Sequence, residues 1–118
     1  MLPSERYQRF SKAVTLGIGD SSATIKAAVA GVTINILNVV VTCLVSAAQA
    51  VYVGDTSGTV KAINVASGFP QHGQAAAQLL EGLALTKGEA LIIKPAAAGP
   101  SFHCVVEWYE TRDITATT

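Results

Sequence analysis

Apolar positions along this chain recur in short β-branched runs broken by clusters of Gly, Asp, Ser and Pro, and no segment longer than about ten residues shows the three-and-four spacing of an amphipathic helix. The pattern predicts strands over 13–19, 24–30, 32–45, 50–54, 59–64, 76–81, 89–94 and 101–110. Seven or eight short strands joined by turns make an all-β protein, an antiparallel β-sandwich. The turn chemistry agrees. Gly54-Asp55-Thr56-Ser57-Gly58 reads as a compact hairpin loop, Thr86-Lys87-Gly88 as a tighter turn, and Ala98-Gly99-Pro100 as a stop before the last strand.

Two of these strands carry finer information. Between Val32 and Val45 the alternation changes phase: Ile34 and Ile36 share one parity, whereas Leu37, Val39, Val41, Cys43 and Val45 share the other. Either a bulge near Ile36-Leu37 restores one buried face to the whole strand, or the strand is buried on both faces. In the final strand Phe102, Cys104, Val106 and Trp108 alternate with Ser101, His103, Val105, Glu107 and Tyr109, so the first set is expected in the core. The mixed second set fits a subunit interface, and His103, Val105 and Tyr109 are its candidate residues.

The ends differ from the middle. Residues 1–12 combine Leu2, Tyr7 and Phe10 with Pro3 and the charges of Glu5, Arg6, Arg9 and Lys12, which is too polar for a core and too aromatic for a purely solvated tail. They are expected to form a docking arm in which Leu2, Arg6, Tyr7, Arg9 and Phe10 make contact with a partner. Residues 13–112 form the sandwich in this reading, and residues 113–118 a short loose tail. The first twelve residues hold no apolar run of the kind a secretory signal requires, so synthesis in a cytoplasm is the expectation.

Composition then narrows the function. The 118 residues are 50% hydrophobic and only 14% charged, against about a quarter charged in an ordinary domain, and mean hydropathy is +0.42. A small subunit with so few charges is expected to cover part of its surface with copies of itself or with an assembly. Eight basic residues balance eight acidic ones, which leaves no excess to neutralise phosphates and argues against nucleic acid or an anionic membrane surface as partner. The uncharged run 27–54 is long enough to span a bilayer, but Asn35, Asn38, Thr42, Ser46 and Gln49 interrupt it and Val32, Ile34 and Ile36 alternate as in a strand.

Candidate chemistry is sparse. Gly17-Ile18-Gly19 supplies two glycines of a dinucleotide fingerprint without the third and without a following amphipathic helix, so a strand end with a turn is the reading. His72 and His103 lack a third ligand at metal-binding spacing. Cys43 and Cys104 sit in apolar runs as buried thiols, and their bonding to each other stays open at this point. Asp20, Asp55 and Glu89 border glycines, where a carboxylate accepts turn N–H bonds. No nucleophile elbow, zinc-protease motif or phosphate loop is present, so neither an enzyme nor a cofactor or metal site is expected.

Several stretches together resemble a family of small virion proteins of tailed bacteriophages: Ala23-Thr24-Ile25-Lys26-Ala27-Ala28-Val29-Ala30-Gly31, the 32–45 strand, the Gly54–Gly58 loop, residues 79–91 and the closing 101–110 strand. The chain departs from the family where Lys or Arg usually follows Ala-Gly, here Val32, and where an aromatic often follows the glycine of the middle stretch, here Leu83. The resemblance implies a jelly-roll or tumour-necrosis-factor-like sandwich that assembles as a homotrimer on the outer surface of a bacteriophage capsid and cements neighbouring major capsid subunits. It requires no cofactor. A receptor-binding or fibre-head trimer of the same fold is the alternative.

Overall fold

A computed structural model describes residues 8–17, 19–44, 50–65, 73–96 and 101–112. Eight strands follow one another: β1 (Arg9–Leu16), β2 (Ala23–Lys26), β3 (Val32–Cys43), β4 (Val51–Asp55), β5 (Lys61–Val65), β6 (Gln74–Ala84), β7 (Leu91–Pro95) and β8 (Phe102–Arg112). They form two four-stranded sheets, ordered β1-β8-β3-β6 and β2-β7-β4-β5. All pairings are antiparallel. The order has a simple origin. The chain pairs as one long nested hairpin, β1 with β8, β2 with β7, β3 with β6 and β4 with β5, and successive pairs are assigned alternately to the two sheets. This is jelly-roll topology, and the all-β sandwich expected from the alternation is the observed fold.

The phase change in β3 is a bulge. Ile36 pairs with Trp108 and Asn38 with Glu107, so Leu37 is an extra residue opposite β8. Its insertion returns Val39, Val41 and Cys43 to the face already occupied by Ile34 and Ile36, and all five lie in one core. Phe102, Cys104, Val106 and Trp108 of β8 join them, as their alternation predicted. Sheet β2-β7-β4-β5 contributes Ile25, Leu91, Ile93, Val51, Val53 and Ile63 from the opposite side. Cys43 and Cys104 are both buried and are not joined to one another, and burial pushes the Cys104 thiol up to about 12. An uncharged thiol out of contact with water is a packing residue, without nucleophilic use.

The first strand begins earlier than its sequence pattern predicted, at Arg9 rather than Ala13. Lys12 interrupts the apolar alternation of Phe10, Val14 and Leu16, and only the partner strand reveals why the pairing continues: Phe10 lies opposite Trp108 and stacks on it at 5.8 Å between ring centroids. Leu2, Arg6 and Tyr7 lie outside the described residues, as does the 113–118 tail. Arg9 and Phe10, expected in the arm, are strand residues of the sandwich.

One end of the sandwich is held by a buried carboxylate. Asp55, at the end of β4, is fully buried. It accepts hydrogen bonds from Thr86 Oγ1 at 2.7 Å and Thr86 N–H at 3.2 Å, from Thr59 N–H at 2.9 Å, from Val60 N–H and from Ser57 Oγ. The β4–β5 loop is thereby tied to the turn between β6 and β7, and Glu89 adds a second tie by accepting Ser57 N–H at 2.7 Å. Asp20 accepts Gly17 N–H at 2.9 Å, so all three carboxylates beside glycines are turn acceptors as expected. Gly54 is required here because a Cβ would fall on the Val60 carbonyl oxygen.

Two consequences are measurable. Burial alone raises the pKa of Asp55, but the bonds from Thr86, Val60 and Ser57 together outweigh it and hold the carboxyl below its ordinary value. A depressed folded value stabilises the protein above the unfolded pKa of about 3.9, and that stability is lost as pH falls through the lower folded value. The urea midpoint should therefore hold steady down to about pH 5 and then fall, with a shallower fall in Asp55→Asn. Asp55→Ala, which empties a buried position and removes the acceptor of several part-buried N–H donors, should cost about 1 to 3 kcal/mol. Trp108→Ala should cost about 3 to 5 kcal/mol in the same assay, because it empties the core beside Phe10.

Candidate functional site: the outer face of the long sheet

The register of the long sheet sorts its outward side chains into rows that cross all four strands. Ala13 of β1 pairs with Val105 of β8, Val105 with Val40 of β3, and Val40 with Ala76 of β6. All four are exposed, Val105 by 41% and Val40 by 37%. An uninterrupted apolar row thus runs across the face.

Polar rows flank it on both sides. On one side stand Thr15, His103, Thr42 and Gln74, aligned by the same pairings. Thr15 Oγ1 and His103 Nδ1 are 3.0 Å apart, and Gln74 Nε2 donates to Thr42 Oγ1 at 3.3 Å. On the other side Glu107 accepts from Asn38 Nδ2 at 2.6 Å and from Arg9 at 3.0 Å. The Arg9–Glu107 pair is half exposed and adds little stability, but it neutralises the charges on this face. Polar groups already bonded to one another lose less when water is removed, so the face can be covered at low desolvation cost.

Of the three interface residues expected from β8, His103 and Val105 stand on this face. Tyr109 has the right parity but is only 4% exposed within the single chain. Its ring crosses Asn35 and rests on Gly82, and its hydroxyl donates to the Glu81 carbonyl at 3.0 Å. An irregular stretch of β6 lies there: Asn38 pairs with Gln78 and Ile36 with Leu83, so β6 carries surplus residues, of which Glu81 and Gly82 meet the tyrosine. Gly82 has φ +94° and a Cβ on it would lie 2.9 Å from Tyr109 Cε1. Sequence reasoning missed Val40, Ala13 and Ala76, whose part in the row depends on which strands are neighbours. The spacing Asn38, Val40, Thr42 gives only their parity.

The described residues contain no group of three or more metal-ligating side chains, and no helix among them is long and apolar enough to cross a membrane. What the fold and this face define is an all-β protein with an apolar row at the centre of one outer sheet face and bonded polar side chains on either side of it. No family model and no curated protein matches the chain. Among solved structures it is similar to a chain of the cyanophage Pam1 capsid asymmetric unit, with a TM-score of 0.55 and 16% identity over 88% of this chain and 84% of that one. It is also similar to a chain of the acid-stable capsid of Helicobacter pylori bacteriophage KHP30, with a TM-score of 0.59 and 8% identity over 91% and 96%. These likenesses establish a shared jelly-roll fold.

Gly82→Ala tests the account of Tyr109. It should lower stability by about 1 to 3 kcal/mol, since the methyl group meets the ring and φ stays positive. A variant as stable as the parent would show that Tyr109 does not lie against Gly82.

Proposed function

We propose that this protein is a structural component of a bacteriophage virion, a homotrimer that binds the outside of the capsid and cements neighbouring major capsid subunits. The observation that carries the reading is the apolar row Ala13–Val105–Val40–Ala76 between polar rows bonded among themselves. Such a face is suited to being covered by a second protein surface, and the 14% charge of the chain suits life in an assembly. The jelly-roll likeness to chains of two phage capsids supports the virion setting.

In this reading His103, Val105 and the row around them meet a neighbouring subunit, while residues 1–7, with Leu2, Arg6 and Tyr7, reach the shell. Three copies engage the lattice together, so contacts that are weak singly become tight jointly when their spacing matches it. Because the trimer binds assembled shell and not separated subunits, it stabilises the shell by linkage. The protein performs no chemistry and uses no cofactor.

Light scattering of the isolated protein should give a trimer mass, and Val40→Lys with Val105→Lys should give a folded monomer. A parent protein that is monomeric at all concentrations overturns the trimer. For the shell contact, deletion of residues 1–7 should leave the melting temperature nearly unchanged and sharply reduce the copies bound to shells that lack the protein. The deletion stops before Arg9, since a longer one would remove the Phe10 ring from Trp108.

A further inference from the structure

The outer faces of the two sheets carry different charge. On the long sheet Arg9 and Glu107 neutralise each other. On the short sheet Lys61 of β5 and Lys94 of β7 flank Tyr52 of β4, and neither lysine forms an ion pair among the described residues. Both are exposed.

Local structure fixes their arrangement. Tyr52 pairs with Lys94 on one side and with Asn64 on the other, which sets three polar side chains in one row. Lys61 pairs with Gly54 after a register shift. Its Nζ lies 4.8 Å from the centroid of the Tyr52 ring, within cation–π range. The Tyr52 hydroxyl donates to the Asp55 carbonyl at 3.3 Å, which anchors the ring from its far end. The two carboxylates whose charge reaches Tyr52, Asp55 and Glu89, already serve as acceptors for N–H donors of the loops.

Tyr52, Lys61, Asn64 and Lys94 line a shallow concavity of about 220 Å³ together with the apolar Ala50 and Pro95. The surface therefore offers two ammonium groups and an amide beside apolar residues and an aromatic ring. A carboxylate on a short aliphatic stem matches all of these. A bare anion would leave the apolar residues and the ring unused, and a nucleic-acid backbone would need a longer track of cations than two lysines.

We propose that the Tyr52–Lys61–Lys94 concavity on the outer face of the short sheet receives an acidic segment of a partner protein, with a Glu or Asp carboxylate seated between the lysines. The proposal stands apart from the trimer and the capsid contact, because it uses the opposite sheet and needs neither.

Isothermal titration at low ionic strength tests it with a capped Ala-Glu-Ala-Glu-Ala peptide, its Gln counterpart, inorganic phosphate and a single-stranded oligothymidylate. The Glu peptide should bind and the Gln peptide should not, and added salt should weaken the binding. Lys61→Gln and Lys94→Gln should each weaken it about tenfold, as expected when one charge-assisted hydrogen bond to the carboxylate is removed. Lys12→Gln on β1 makes the same charge change on the other sheet and should leave the affinity unaltered, with melting curves confirming that all variants fold. No binding of the Glu peptide, equal binding of the Gln peptide, or insensitivity to both lysine substitutions overturns the proposal. So does phosphate or oligothymidylate binding at least as tightly, which would make the surface a general anion site or a nucleic-acid contact.

Discussion

The antiparallel pairing of β3 with β8 fixes the position of nearly everything else. These are the two inner strands of the long sheet, registered from Val32 opposite Arg112 to Cys43 opposite Phe102 with one interruption at Leu37. Because side chains alternate along a strand, one inserted residue decides which face each half of β3 presents. With Leu37 inserted, Ile34 and Ile36 bury beside Val39, Val41 and Cys43. Without it, one of the two sets would point to water while the polar Asn38 and Thr42 turned inward.

That register also determines the surface. The residues left outside on β8 align with those left outside on β1 and β3, and the alignment makes like meet like: Val105 lies between Ala13 and Val40, and His103 between Thr15 and Thr42. Polar side chains then satisfy one another across strands. The short sheet has no such cancellation of charge, because Lys61 and Lys94 flank an aromatic ring instead of a carboxylate. One sandwich therefore carries two faces of different chemistry, a neutral apolar-centred one and a cationic one. The two proposed contacts, with copies of the chain and with an acidic partner, therefore use opposite sheets and would not compete.

The loops at one end are made rigid by a different means. Asp55 gathers donors from the β4–β5 loop and from Thr86, which joins the two sheets where no ladder can. A buried carboxylate is costly unless its oxygens are filled, and here five donor groups fill them. Its role is structural: the bonds it accepts tie the β4–β5 loop to the turn before β7.

The alternation of apolar residues, by itself, determined the all-β class, most strand positions, the inward face of β8 and the existence of an irregularity near Leu37, because each follows from side-chain period along a single strand. Glycine-bordered carboxylates were legible for the same local reason. The tertiary structure decided what depends on neighbours. Phe10 became part of β1 only because Trp108 stands opposite it, and no local pattern distinguished it from an arm residue. Tyr109 left the exposed face because a glycine on a strand two places away made room for its ring. The apolar row joins residues from four strands far apart in sequence, and the lysine concavity joins three, so neither exists until the nested hairpin closes and sets the strand order.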